Sequence, residues 1–375
     1  MTAKRPRVVV SNYGVGDNSV LLVNKGILDG VRAAGLLEGD IVWRGPVGND
    51  RYGYEQQAAT ALRRHVEVYG APDMVVGQAC FALALFRVAE QACPDAVRVL
   101  QRDSTHERTC KELVDAEMVR CDLPISADWG NVTHSEAEYE SAHVITVLSH
   151  WVERTFIDRG MGRKLVYVGP QTAELMRWRP GERPDDGVDF RVMVAGQMRV
   201  AKGTHMACRA WSRMGGGADD QLVFSGHPEP QAGTPERLFI DNEVKEAQAN
   251  GNVRVIGWGR LEEMPLRYAA CDVYCLPSFQ EGSSMTCVEA MLCGRPVVAT
   301  ENSGSDLLEE HNGEVGFMVP AGDDKALADA FEVYRRDPEL RRRHGTKARE
   351  VAMEAGGSGR FAAGYARALE NVWSG

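Results

Sequence analysis

Short apolar runs alternate with amphipathic segments along most of this chain, and the fold is read first from that alternation. Arg7 to Ser11 reads as a strand, followed by a loop with Gly14, Gly16, Asp17 and Asn18; Val20, Val23, Ile27 and Val31 then keep helical spacing. Further strands are predicted at Met74 to Val76, Val97 to Leu100 and Val144 to Val147, with helical segments between them. That is the alternation of a parallel sheet. Between Gly169 and Gly187 the periodicity breaks in RWRPGERPDDG, a linker by its proline, glycine and charge. The pattern then restarts with FRVMVA, QLVFSG, VRVIGW, VYCLPS and PVVAT, with helices from Pro235 and Glu262. The expected fold class is α/β, two Rossmann-like doubly wound domains. Residues 1–187 form the first with its linker, 188–355 the second, and 356–375 a closing amphipathic helix.

The densest information lies between Leu276 and Thr300, LPSFQEGSSMTCVEAMLCGRPVVAT. A strand ends at Pro277, a helix opens near Ser283 or Ser284, either a suitable N-cap, and Gly294 stops it before the next strand. Glu281 stands before the helix and Glu289 within it, seven residues between them. Met285, Val288 and Leu292 make an apolar stripe, and Glu289 lies beside it, so its carboxylate needs a partner. Backbone N–H groups at Gly282, Ser283 and Ser284, entering the helix at Met285, favour an anion by direction and dipole. A phosphate is the expected guest, with a carboxylate placed to accept hydrogen bonds from a diol. The alternative is an ordinary helix with a surface glutamate.

Three other loops carry candidate chemistry. After FRVMVA come Gly196, Arg199, Lys202 and Gly203, where a guanidinium fork and an ammonium stand three residues apart beside a helix start. That pair suits a diphosphate; a solvated basic loop is the alternative. After VRVLQ, Ser104 and Glu107 read as a capping box, which puts His106 in the first turn of a helix at the carboxyl end of a strand. The dipole there should hold it neutral, ready to exchange a hydrogen bond; a surface capping turn is the alternative. Gly14 and Gly16 resemble the start of a dinucleotide fingerprint. The third position is Ser19, though, and no acidic partner follows about twenty residues on, which argues against a nicotinamide site.

Composition narrows the class. The chain has 375 residues, 44% apolar and 26% charged, with a net charge of −10. It has room for two cores and no basic excess that would suit nucleic acid or an anionic membrane. Its start shows no signal-peptide pattern and no run is long enough to span a membrane. The nine cysteines are scattered without a C-x-x-C pair. Reduced thiols and a cytoplasmic location are expected. The basic run RRDPELRRRHGTKARE reads as a solvated surface in helical segments broken at Asp337, Pro338 and Gly345.

LPSFQEG, the two glutamates seven residues apart and EAMLCGRPVVAT together resemble the donor-binding segment of the retaining GT-B glycosyltransferases of family four, glycosyl transferases group 1. Ser283 and Ser284 depart from it, standing where the family usually has a bulkier or apolar residue. The resemblance implies two domains facing across a cleft, with the terminal helix crossing back to the first. Glu281 would face the transferred sugar, Glu289 would hold the nucleotide ribose, and Arg199 and Lys202, flanked by Gly196 and Gly203, would contact the donor phosphates. His106 matches the family's short Ser-x-His motif, whose histidine points into the active site. Gly16 would let the backbone approach the donor diphosphate and acceptor, unless it only serves a turn. The segment Gly257 to Leu261 would lie along the base, with Trp258 bordering it or packed between sheet and helix. The implied activity is a retaining, hexosyl-type transfer from a nucleotide-diphosphate sugar to an acceptor hydroxyl, with no metal and no cofactor. A nucleotide-sugar epimerase or hydrolase of GT-B fold, or a non-catalytic nucleotide-sugar-binding protein, are the other readings.

Overall fold

The computed structural model describes residues 6–12, 27–42, 51–169 and 177–374. The chain forms two compact units, one of residues 1–109, 127–171 and 358–375, the other of 110–126 and 172–357. Gly14, Gly16 and most of the predicted first helix lie outside the described residues.

The first unit has six parallel strands: β1 (Val8–Asn12), β2 (Leu37–Val42), β3 (Met74–Gln78), β4 (Val97–Arg102), β5 (Val144–Val147) and β6 (Leu165–Tyr167). Their order is β2-β1-β3-β4-β5-β6. Successive strand residues face opposite sides, so Val8 and Val10 enter one core while Val9 enters the other. The helix Ser358–Ser374 covers the first of these, inserting Phe361, Tyr365 and Leu369 at intervals of four. Tyr365 Oη lies 3.4 Å from Thr146 Oγ1 on β5.

The second unit has β7 (Phe190–Ala195), β8 (Asp220–Ser225), β9 (Asn252–Val255), β10 (Val273–Leu276), β11 (Val297–Thr300) and β12 (Gly316–Val319). All are parallel, in the order β12-β11-β10-β7-β8-β9. Chain order therefore reverses between β7 and β10, the switch point at which open sheets of this kind bind ligands. Helix Thr204–Met214, which follows β7, packs with Val192 and Val194. Helix Met285–Leu292, which follows β10, packs with Met193 and Ala195 on the other face. The two helices thus pack on opposite faces of the sheet.

Three local expectations are corrected. Ser284 is the N-cap residue of Met285–Leu292, but its side chain accepts no backbone N–H there. The Ser104/Glu107 capping box does not form, because Arg102 Nη2 takes the Glu107 carboxylate at 2.9 Å; His106 then precedes the helix Glu107–Arg120 instead of sitting in its first turn. Gly345 does not break a helix: Pro338–Glu354 runs through it, and a Cβ there would collide with the Gly294 carbonyl. Among the described residues no helix is long and apolar enough to cross a membrane.

Gly203 sets how closely the two switch-point loops approach. Its φ is +67°, and a Cβ would overlap the Pro277 carbonyl oxygen. Gly203→Ala adds backbone strain to that overlap and should cost roughly 2–4 kcal/mol of stability. Urea unfolding checks this; an unchanged midpoint would show that the loops have room to separate.

Candidate functional site

Chain leaving β7 passes Gly196, at φ +130°, and enters the 3-10 turn Val200–Lys202. Chain leaving β10 passes Pro277, Ser278 and Glu281 before the helix Met285–Leu292. The Phe279 N–H donates to the Ala201 carbonyl at 3.0 Å, joining the two loops through backbone. Lys202 Nζ then lies 2.7 Å from Glu281 Oε1, which also accepts from Ser278 Oγ at 2.8 Å. Thr300 Oγ1 donates to the Ser278 carbonyl and Asn302 Nδ2 to that of Phe279, so β11 braces the second loop. Arg199 Nε stands 3.7 Å from Glu236 Oε1, an oxygen that also accepts the Val200 N–H at 3.0 Å. A lysine, an arginine and a glutamate predicted from separate stretches are thus brought together at the switch point.

The Ser284 N–H, expected to be open to an anion, donates to the Gly304 carbonyl at 3.3 Å, and the Met285 N–H turns back to the Ser283 carbonyl at 3.0 Å. Four residues into the helix, Glu289 is buried, and Tyr268 Oη donates to its Oε2 at 2.9 Å. Burial raises the Glu289 carboxyl from 4.5 to about 7; the Tyr268 hydrogen bond and the Arg177 charge act against that shift. Tyr268 is itself fixed by edge-on contacts with Trp178 and Tyr274.

Trp258 is half-exposed, so it is not packed between sheet and helix. Its carbonyl and that of Gly257 accept from Arg267, at 3.4 and 2.7 Å, and Arg267 also reaches Ser225 Oγ on β8 at 2.8 Å. In the first unit, His106 is 1% exposed, with its ring 4.9 Å from Tyr139 and 4.8 Å from Phe156. Its neutrality has a different cause from the one expected. Burial first, then the positive charges of Arg102 and Arg159, lower it to about 4.

Sequence reasoning missed Tyr268, Ser278, Glu236 and Arg267. Ser278 lies inside the stretch singled out for its glutamates. The other three are on elements whose neighbours in space are distant in sequence, so no local spacing marks them.

Residues 189–337 match the family described as glycosyl transferases group 1. This stretch of the second unit is thus similar to the group 1 glycosyltransferases. Two bacterial proteins are similar to part of the chain. One is the amylovoran biosynthesis glycosyltransferase AmsK of Erwinia amylovora, 30% identical over 190 residues, 46% of this chain and 44% of that protein. Another is the D-inositol 3-phosphate glycosyltransferase of Corynebacterium jeikeium, 29% identical over 197 residues, 47% of this chain and 45% of that protein. The chain thus spans less than half the length of these relatives. Its fold matches sucrose-phosphate synthase from Thermosynechococcus elongatus over 99% of this chain and 100% of that one, with a TM-score of 0.75 and 19% identity. Anabaena HepE in complex with UDP matches over 97% and 100%, with a TM-score of 0.70 and 14% identity. Both units together therefore have the GT-B fold, and Arg199, Lys202, Glu281 and Glu289 all lie in the group 1 segment.

The raised Glu289 carboxyl has a thermodynamic consequence. Between pH 4.5 and about 7 the folded protein holds a proton that the unfolded chain has released. This contribution is fully present below pH 4.5 and is lost as pH rises through about 7. Glu289→Gln, of the same shape but without titration, should remove that decline when urea unfolding is followed from pH 4.5 to 8. Equal slopes in variant and parent would place the titration elsewhere.

Proposed function

We propose that the protein is a retaining glycosyltransferase that moves a sugar from a nucleotide-diphosphate sugar to an acceptor hydroxyl. The observation that supports this best is the pairing of Lys202 with Glu281 at the switch point, inside the segment that matches group 1, with Glu289 in the helix that follows. HepE, of the same fold, is known in complex with UDP and with UDP-glucose, which makes UDP-glucose the first donor to try.

In this reading the donor diphosphate lies along the loop Gly196–Gly203 and the helix start at Gly282–Met285. Cleavage of the glycosidic bond places negative charge on the departing β-phosphate. Arg199, Lys202 and the positive end of the helix Met285–Leu292 are fixed before the reaction and stabilise that charge without reorganising. Without donor, Lys202 is matched by Glu281. The diphosphate takes over Lys202, and Glu281 turns to the sugar hydroxyls. Glu289, in its ionised form, accepts from the ribose diol while Tyr268 holds its other oxygen. Gly257 and Trp258 border the base through a segment that Arg267 pins by its carbonyls. For His106, neutral and buried in the first unit, the proposed role is a hydrogen bond to a sugar hydroxyl. The basic pair supplies the charge for which other sugar transferases use a metal ion.

A thermal-shift screen of nucleotide sugars tests the reading. A donor at 100 times its dissociation constant adds about 2.7 kcal/mol to stability. Glu289→Ala should weaken nucleotide binding by about 1.5–3 kcal/mol, the range for a hydrogen bond to a charged group. Unchanged affinity by calorimetry would remove Glu289 from the ribose.

Turnover should survive a chelator, and an α-linked donor should give an α-linked product by proton NMR of the anomeric signal. Loss of activity with EDTA and its return with magnesium would contradict the basic clamp, and an inverted anomeric centre would contradict retention.

A further inference from the structure

The second unit has a groove of about 570 Å³ at the other end of these strands. Asp272, directly before β10, and Pro296, directly before β11, line it. It therefore opens at the amino ends of the strands, whereas Lys202 and Glu281 stand beyond the carboxyl ends. The helix Pro338–Glu354 supplies Arg341, Arg342, Arg349 and Glu350 to its wall, and the turn after Leu292 supplies Arg295.

The acids here are matched already. Asp272 accepts from Arg183 Nε at 3.1 Å and from the Arg191 N–H at 2.8 Å, and Glu350 lies 3.7 Å from Lys347. Arg342 is paired with Glu339 at 2.6 Å. Arg295 and Arg349 have no such match, and Arg341 meets a carboxylate only at 3.9 Å. Arg349 donates to the carbonyls of Leu292 and Trp178, and Arg295 Nη2 to that of Gly181 at 3.1 Å, all neutral acceptors. Arg341 lies over the Phe190 ring at 5.3 Å, with Nη1 3.9 Å from the already engaged Asp272. Two donors, Arg295 Nε and Arg341 Nη1, are buried with no hydrogen-bond acceptor among the described residues. A buried N–H without an acceptor is costly, and a charged one more so.

We propose that this groove binds a phosphate-bearing small molecule at a site separate from the nucleotide-sugar site. Phosphate oxygens suit guanidinium forks in geometry and charge. Two guanidinium groups with no carboxylate partner and a third that meets one only at 3.9 Å line the groove, in a chain whose net charge is −10. The volume falls in the range of small-molecule pockets, roughly 300–1,000 Å³.

Pyrophosphate titrated into the full chain by calorimetry at low ionic strength tests the proposal. Two sites per chain are expected. Arg199→Ala with Lys202→Ala should remove one and leave the other. Arg295→Gln with Arg341→Gln should weaken the remaining site about tenfold to a hundredfold. Thr346 is exposed on the helix lining the groove, so Thr346→Glu places a carboxylate there without disturbing the core, and it should weaken the same site. If the Arg199/Lys202 variant binds no pyrophosphate, or if Thr346→Glu and the arginine pair leave its residual binding unchanged, the groove proposal falls and the donor reading stands. If that variant keeps both sites, the donor assignment falls and the groove stands.

Discussion

The approach of the loop after β7 to the loop after β10 is the constraint on which the second unit's chemistry rests. Gly203 turns left-handed against the Pro277 carbonyl, and the Phe279 N–H closes on Ala201 at 3.0 Å. Because the strand order reverses here, the two following helices go to opposite faces and do not fill the space between the loops. Lys202 and Glu281 are left facing each other at 2.7 Å, partly exposed, each the partner of the other until something better is offered. An ion pair in such a place is worth little as stability. Under the proposed function, the pair holds both groups in position until a donor takes them over.

Glu289 and Glu117 are two buried carboxylates with opposite balances of partners. Glu117 is matched on both oxygens, by His205 Nε2 at 2.9 Å and Arg120 Nη1 at 3.1 Å, and ties residues 110–126 into the second unit. Glu289 has a phenol at 2.9 Å, too little to offset its burial, and is driven towards the protonated form. Unpaid desolvation at the edge of an open site is what a ligand's donors can relieve.

Among the described residues, most of the strands legible in the sequence have apolar runs that are largely buried, as β7 and β10 do, although β9 is legible with half of its residues exposed. The unread strands have weak local patterns: β2 contains Gly39 and Asp40, β6 has three residues, and β12 begins with glycine. The candidate site was legible where its residues crowd into one stretch, as Glu281 and Glu289 do, because loop and helix signals there are local. It failed where a distant group competes for a local role. Arg102 takes the carboxylate that the Ser104/Glu107 box required. Gly345 has the composition of a helix breaker and the function of a contact, since only hydrogen fits against the Gly294 carbonyl. The Tyr268–Glu289 bond joins two helices 21 residues apart, which no periodicity relates.

Burial pushes two site candidates the same way, towards neutrality, with opposite meaning for their use. His106 is lowered to about 4, so near neutral pH it keeps one fixed charge state and both the donor and the acceptor of a neutral imidazole. Glu289, raised to about 7, stands at the middle of its titration under the same conditions. Hydroxyl donors from a bound diol stabilise only its ionised form, so under the proposed function ligand binding and proton release are linked at this one group. Tyr268 already supplies one such donor. Under that reading a ligand's hydroxyls add to what the tyrosine begins and shift the half-titrated carboxyl further towards its ionised form.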